Sequence, residues 1–344
     1  MRHLLNTLYI LTDDRYLALE GENIVLQEGE RTAARFPLHT LEGIACFGYR
    51  GISPALMAAC AERDISLCFY TPEGRFQARV CGEIRAWNVL LRRQQFRTAE
   101  DPAAGCRIAR SMLIGKVYNC RRILERALRD HELRLDAERV RAASAGLASS
   151  LEAIRGCTDP ETLRGLEGEA ASRYFGVWGE LVLRHQEVFR FDGRSRRPPA
   201  DPANALLSFA YSLLSKDCVS ALEGAGLDAY VGFLHRDRPG RPSLALDLME
   251  ELRGPFADRF VLRLINEQMI TGRDFDYREN GAVFLNEAGR KRFLEVWQTR
   301  KRESVTHPFL REKLPWGLIP FVQALLLARM LRGDLEDYPP FLWK

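Results

Sequence analysis

Residues 232–259 read GFLHRDRPGRPSLALDLMEELRGPFADR. A short apolar run ends on His235, and a loop dense in arginine and proline follows (Arg236, Arg238, Pro239, Arg241, Pro242). Ser243 is a good N-cap and Gly254-Pro255 a strong stop, so a short helix is predicted between them. Leu244, Ala245, Leu246, Leu248, Met249 and Leu252 make it apolar on nearly every side, which predicts burial. The rest of the chain is organised around this element. Yet it also carries Asp247, Glu250 and Glu251. Residues three and four apart share a face, so Asp247 can lie beside Glu250 or Glu251. Buried like charges are costly without a compensating cation. The chemistry alone leaves two readings open: an acidic face met by nearby arginines, or a divalent-metal site completed by His235.

Outward from this helix, the two ends of the chain differ in character. The first 80 or so residues read as β-rich, with short runs at Leu4–Leu11, Tyr16–Glu20, Ile24–Gln27, Gly43–Phe47, Ile65–Tyr70 and Arg75–Val80. Asp13-Asp14, Gly21-Glu22, Glu28-Gly29 and Glu73-Gly74 supply the turns. One helix interrupts them, starting at Ser53-Pro54 and reaching about Arg63. His3 and His39 lack acidic or nucleophilic companions and read as structural. From about Glu83 the period becomes helical. A basic helix with Trp87, Leu90, Leu91, Gln94 and Phe96 is expected, then a loop at Pro102–Gly105, a long helix, and an exposed charged helix or hairpin over Leu133–Leu151. Phe191–Asp201 is polar, basic and proline-rich, and reads as a disordered loop. An apolar helix over Pro315–Leu331 and an extended end close the chain. The fold expected is α+β, with a small N-terminal β-rich domain (1–82) followed by a larger all-α domain (83–344).

The 344 residues are 46% apolar and 28% charged, as in soluble globular proteins. No apolar run approaches the roughly 20 residues needed to cross a bilayer, and no signal peptide is recognisable. Eight scattered cysteines, none in a C-x-x-C pair, read as reduced core residues of a cytoplasmic protein. The net charge of +4 does not by itself point to nucleic acid, and the dominance of arginine over lysine also follows from a GC-rich genome. Clusters at Arg92-Arg93 with Arg97, Arg194 with Arg196-Arg197, Arg290–Arg292 and Arg300–Arg302 are candidate phosphate-tracking patches. Phosphate-binding and dinucleotide-binding glycine motifs, a nucleophile elbow and a Cys-His pair are all missing from the sequence.

A second acidic block begins at Thr158. Thr158 and Glu161 suggest a capping box, with Pro160 in the first turn. Glu167, Ala171, Tyr174 and Trp178 then share a stripe, which puts one carboxylate among small and aromatic residues. Such a group is either paired with an arginine or bound to a cation, and Gly165 and Gly168 beside it allow close approach. In a third block, Asp201-Pro202 opens a helix whose core stripe is Ala205, Leu206, Phe209, Leu213 and Leu214. Asn204, Tyr211 and Lys216 are its polar exceptions; by chemistry alone they are surface decoration, and no individual role is assigned to them.

The run LRGLEGEAASRYF around Glu167, the stretch around His235, and the blocks between and after them occur in the order of a known family. The chain resembles, over essentially its whole length, the CRISPR-associated integrase that captures new spacers, the first-numbered CRISPR-associated protein. The resemblance implies that Glu167, His235 and Glu250 are metal ligands and that Asp247 is a companion acid supporting the catalytic site. It implies Mn²⁺ or Mg²⁺, in keeping with carboxylate and imidazole donors. Arg236, Arg238, Arg241 and Arg253 are candidate DNA contacts. The implied activity is transesterification joining 3′-hydroxyl ends of short DNA fragments to CRISPR repeat ends, with DNA cleavage as the same chemistry using water. The implied partners are double-stranded DNA, a second copy bound through the N-terminal β domain, and a small second adaptation protein, with no membrane. Two rival readings are a relative serving transposon integration or repair, and a non-catalytic arginine-rich DNA scaffold.

Overall fold

The computed structural model describes residues 6–11, 14–29, 31–47, 51–63, 65–71, 76–80, 82, 89–195 and 198–344. The N-terminal part holds two sheets. The first has the order β1 (Thr7–Ile10), β5 (Gly43–Cys46), β6 (Ser66–Tyr70), β7 (Phe76–Val80), parallel at its first two pairings and antiparallel at the last. The second is an antiparallel meander of β2 (Arg15–Glu20), β3 (Asn23–Glu28) and β4 (Arg31–Pro37). The expected strands are present, while β4 was not anticipated. Its sequence, RTAARFP, carries little apolar alternation because it is a largely exposed edge strand. Helix α1 (Pro54–Glu62) starts where expected, with the Ser53 hydroxyl accepting from the Leu56 N–H. Asp13 of the expected Asp13-Asp14 turn, the expected turn at Glu73-Gly74, the residue Trp87, and the pair Arg196-Arg197 lie outside the described residues.

The two faces of the first sheet serve different cores. Ile44 and Cys46 join Ile10, Leu17, Ile24 and Leu56 in a small β-side cluster. Ala45, Phe47, Cys68 and Tyr70 instead join the large helical core. Alternation along a strand with period two is what allows this sharing.

The helical part comprises α2 (Val89–Glu100), α3 (Pro102–His131), α4 (Ala137–Gly156), α5 (Pro160–Trp178), α6 (Pro202–Gly224), α7 (Ser243–Leu252), α8 (Arg259–Asn266), α9 (Glu287–Arg302) and α10 (Ile319–Leu331). It is not purely helical. Short antiparallel ribbons pair β8 (Phe275–Tyr277) with β9 (Val283–Leu285), and β10 (Ser304–Thr306) with β11 (Lys313–Pro315). Pro102–Gly105 is no loop but the first turn of α3, because the Asp101 carboxylate accepts from the Ala103 and Ala104 N–H groups and Pro102 fits N1. Helix α4 is exposed on one side only, since Val140, Leu147, Leu151 and Ile154 face the core. Helix α5 is capped by Asp159, which accepts from the Thr162 N–H at 2.7 Å, and not by Thr158. Within 191–201 Arg194 reaches Asn204 and Ser208, and that tie anchors the segment expected to be disordered. By length and composition α6 could cross a bilayer, but most of it is buried among the other helices. Seven described cysteines are free and buried, as expected of core residues.

The central helix departs most from its expected ends. Pro242, not Ser243, stands at the N-cap position of α7, and the Ser243 hydroxyl instead donates to the Arg236 carbonyl at 3.2 Å. Nor does Gly254-Pro255 stop it. The backbone widens into a π-helical turn over Arg253–Asp258 and continues as α8. The wider turn absorbs the proline's missing N–H without breaking the helix. Gly115 on α3 lets α7 approach: a β-carbon there would lie 2.9 Å from the Glu251 β-carbon.

Glu251 points away from His235, toward the C-terminal segment. Gln323 Nε2 donates to it at 2.8 Å, the Tyr338 hydroxyl donates to the same oxygen, and the Phe341 N–H donates to the other at 2.8 Å. Asn119 adds bonds to the Glu251 and Phe341 carbonyls and accepts from the Trp343 N–H. The extended end is therefore part of the core. Burial pushes the Glu251 carboxyl up to about 7, outweighing its hydrogen bonds. The unfolded value is about 4.3, so the stability tied to its protonation is complete below that pH and is lost as pH rises through 7. Unfolding free energies from denaturant titrations between pH 5 and 8 should accordingly fall more steeply with pH for wild type than for Glu251→Gln, by up to about 1.4 kcal/mol per pH unit. Parallel profiles would refute the assignment.

Candidate metal and phosphodiester site

Three elements carry the predicted residues, α5, the loop before α7 and α7 itself, and α3 adds Lys116. Asp247 organises the loop. Its Oδ2 accepts from the Phe233 N–H at 2.6 Å and the Leu234 N–H at 3.0 Å. Its Oδ1 accepts from the His235 N–H at 3.0 Å and from His235 Nδ1 at 2.6 Å. Gly232 is required beside it, since a β-carbon there would lie 2.8 Å from Oδ2. With the proton placed on Nδ1 by this carboxylate, the Nε2 lone pair is left facing Glu250, whose Oε1 lies 3.9 Å away.

Glu250 is almost fully buried and surrounded by cations. Arg253 Nη2 is 3.1 Å from its Oε1, and Lys116 Nζ is 2.8 Å from its Oε2. Burial opposes ionisation, yet Arg253, Lys116 and His235 together outweigh it and hold the carboxyl down at about 2. The Lys116 contact is an ion pair at 2.8 Å, and among the described residues Oε2 has no aligned hydrogen-bond donor. Lys116 also pairs with Glu167, which is half-buried on the α5 stripe above Tyr174 and Trp178. Burial alone would favour the neutral amine, but Glu250 and Glu167 override it and raise the lysine above its ordinary value. No protein atom crowds Gly165 or Gly168, so the room beside Glu167 is open.

Sequence reasoning missed Lys116, which stands fifty-one residues from Glu167. The available signal was a charge on an apolar stripe, four residues from both Met112 and Cys120, which are buried. Tyr211 and Asn204 were also misjudged as surface groups. Tyr211 donates to Asp258 and lies under the Arg253 guanidinium, 5.1 Å from ring centre to Cζ, while Asn204 is buried and holds Arg194.

The candidate DNA contacts divide. Arg236 and Arg238 are exposed, with Arg236 paired to Glu161, and Arg241 is half-buried. The Arg253 side chain is only 16% exposed and its charge is committed to Glu250. Lys301 is buried against Asp217 and Arg300 pairs with Glu303, so that basic cluster is not a free phosphate track.

Among the described residues no three His, Cys, Asp or Glu converge closely enough to grip one ion. The position between the two glutamates is held by the Lys116 ammonium. In chemistry the donors fit a hard divalent cation: two carboxylates, one imidazole nitrogen with its lone pair exposed, and a Glu250 oxygen lacking a hydrogen bond. Binding there requires the ammonium to yield. Lys116→Met should therefore be less stable than wild type without metal, and Mn²⁺ should raise its melting temperature more than it raises that of wild type. Equal Mn²⁺ shifts would remove Lys116 from the site. Asp247→Asn offers an amide nitrogen where N–H donors converge, and should cost about 3 kcal/mol in denaturant unfolding. A cost below about 1 kcal/mol would mean that the loop is held by something else.

A sequence profile for the family described as "CRISPR associated protein Cas1" matches residues 8–299. CRISPR-associated endonuclease Cas1 1 of Chlorobaculum tepidum is 46% identical over 344 residues, covering all of both chains. CRISPR-associated endonuclease Cas1 2 of Rhodospirillum rubrum is 49% identical over 348 residues, again covering both. In fold, the chain superposes on a casposase bound to its integration product with a TM-score of 0.84 at 22% identity, covering 98% of this chain and 94% of that one. A Cas1 protein from Thermotoga maritima gives 0.80 at 23% identity, covering 95% and 97%. Identity of this level over the whole chain, together with the shared fold, places the protein in the Cas1 family of CRISPR-associated proteins.

Proposed function

We propose that this protein is a metal-dependent DNA endonuclease and integrase of CRISPR adaptation, which joins 3′-hydroxyl ends of short DNA fragments to CRISPR repeat ends. The observation that carries the reading is that His235 Nε2 lies 3.9 Å from Glu250 while Glu250 and Glu167 share the one Lys116 ammonium, with Asp247 fixing the imidazole. Full-length relatives named as CRISPR-associated endonucleases support it. Glu167, His235 and Glu250 would hold Mn²⁺ or Mg²⁺. When bound, such an ion neutralises a phosphoryl oxygen and favours an attacking or leaving oxygen.

The chain's own groups prepare this chemistry. Asp247 keeps the His235 proton on Nδ1. Arg253 and Lys116 keep Glu250 ionised despite its burial. Tyr211 and Glu250 together hold the Arg253 guanidinium in place. In the transfer a bond forms between the fragment 3′-oxygen and the repeat phosphorus, and the phosphorus bond to the repeat's own 3′-oxygen breaks. The proton lost by the attacking hydroxyl is matched by one gained on the leaving oxygen. The number of phosphodiesters is unchanged, so no nucleotide energy source is needed.

The working assembly in this reading is a homodimer formed through the β-rich region 1–82, carrying the catalytic region 83–344, together with a small second adaptation protein in the cytoplasm. Arg236, Arg238 and Arg241 hold the DNA backbone near the site. The scaffold reading draws on one observation, that Glu167 and Glu250 are already paired with Lys116.

Strand transfer of a short 3′-hydroxyl duplex into a repeat-bearing plasmid separates the two. Joining with Mn²⁺ or Mg²⁺ should vanish in EDTA and fall at least a hundredfold in Glu167→Ala and His235→Ala, with DNA binding retained. Joining that survives both substitutions would move the site elsewhere. DNA binding without joining under any condition would favour the scaffold.

A further inference from the structure

A second charged cleft lies along the same long helix, away from the metal site. It is a cavity of about 420 Å³ between the C-terminal half of α3, α8 and the end of α9. Four arginines line it: Arg126, Arg259, Arg263 and Arg300. Three have acidic partners. Arg126 Nε is 3.3 Å from Asp130, Arg263 bonds Glu267 and Glu303, and Arg300 Nη1 donates to Glu303 at 2.5 Å. Arg259 has none within ion-pair distance among the described residues. Its guanidinium lies over the Trp343 indole, 4.2 Å from the ring centre, which fixes its plane and leaves its edge to the cleft. Burial, then the neighbouring Arg300 and Arg126, pull its pKa down to about 10. One guanidinium is thus held over an indole, crowded by like charge and without an acid in ion-pair contact among the described residues, Glu303 acting on it only at longer range, in a space of ligand size.

We propose that this cleft is a phosphate-binding pocket with Arg259 as its principal contact, and that a backbone phosphate of bound DNA is its occupant. A guanidinium edge pairs with two phosphate oxygens at once, and Arg126 can meet a third. The acidic side chains present already occupy the other arginines, so the vacant charge suits an incoming oxyanion rather than another protein carboxylate. Arg126 follows Lys116 by ten residues on α3, or about 15 Å of helix, so one strand can contact the pocket while reaching the metal site. The DNA source of the phosphate rests on the function proposed above. The anion site does not.

The test uses the full chain in EDTA, as wild type, Arg259→Met and Ala127→Glu. Ala127 lines the cleft, so a carboxylate there supplies the missing counter-ion without disturbing the stack on Trp343. Ala127→Glu should melt no lower than wild type. The slope of log affinity for duplex DNA against log salt should shrink by about one in both variants. Inorganic phosphate, against chloride at matched ionic strength, should raise the melting temperature of wild type alone. A phosphate shift lost in both variants with unchanged DNA slopes would keep the pocket and make free phosphate its ligand. Wild type that binds no DNA but keeps the phosphate shift would overturn the function and not the pocket. A wild-type shift with polyglutamate and none with phosphate would replace the proposal with an acidic protein partner. Neither slope nor melting temperature responding would overturn it.

Discussion

Burying three carboxylates in one ten-residue helix is the constraint on which the rest of the molecule depends. Each acid of α7 needs its own compensation, and each obtains it from a different direction. Backbone N–H groups of the preceding loop meet Asp247, cations from α3 and the π-helical turn meet Glu250, and neutral donors from the C-terminal end meet Glu251. The loop, the long helix and the tail are thereby fastened to one element. Losing any one partner would leave an acid buried without compensation, a larger penalty than the pair's own net contribution.

The same arrangement separates positioning from reactivity. Asp247 has its capacity taken up by four donors, three of them backbone, so it has little left for a substrate and serves to aim His235. Glu250 is ionised but incompletely hydrogen-bonded, and Glu167 is held only through a lysine. In the reading proposed above, the groups assigned to the metal are those whose needs the fold meets in part.

Much of this could be read from residue order. The α7 sequence announced burial and acidity together, and the Glu167 block carried a resemblance specific enough to select one carboxylate from the forty-six acidic residues. The two sheets were visible wherever apolar alternation was present, and β4 escaped because an exposed edge strand has no core face to betray it. Local rules misjudged the ends of α7, since proline and glycine usually stop a helix and here a wider turn carried the chain through. Lys116, Tyr211 and Asn204 were hidden for a different reason. Their meaning lies in contacts across 51, 47 and 10 positions, and no local pattern distinguishes a buried lysine's counter-ions from solvent.

The bond from the Phe341 N–H to Glu251 spans ninety positions. A ribosome therefore makes α7 long before it makes the groups that satisfy its rear carboxylate. Until Gln323, Tyr338 and Phe341 have emerged, α7 carries an uncompensated acid and has no reason to settle in its final place. Under the function proposed above, the site on α7 is thus completed only after these later groups have been made, so its order of assembly is set by contacts remote from the chemistry.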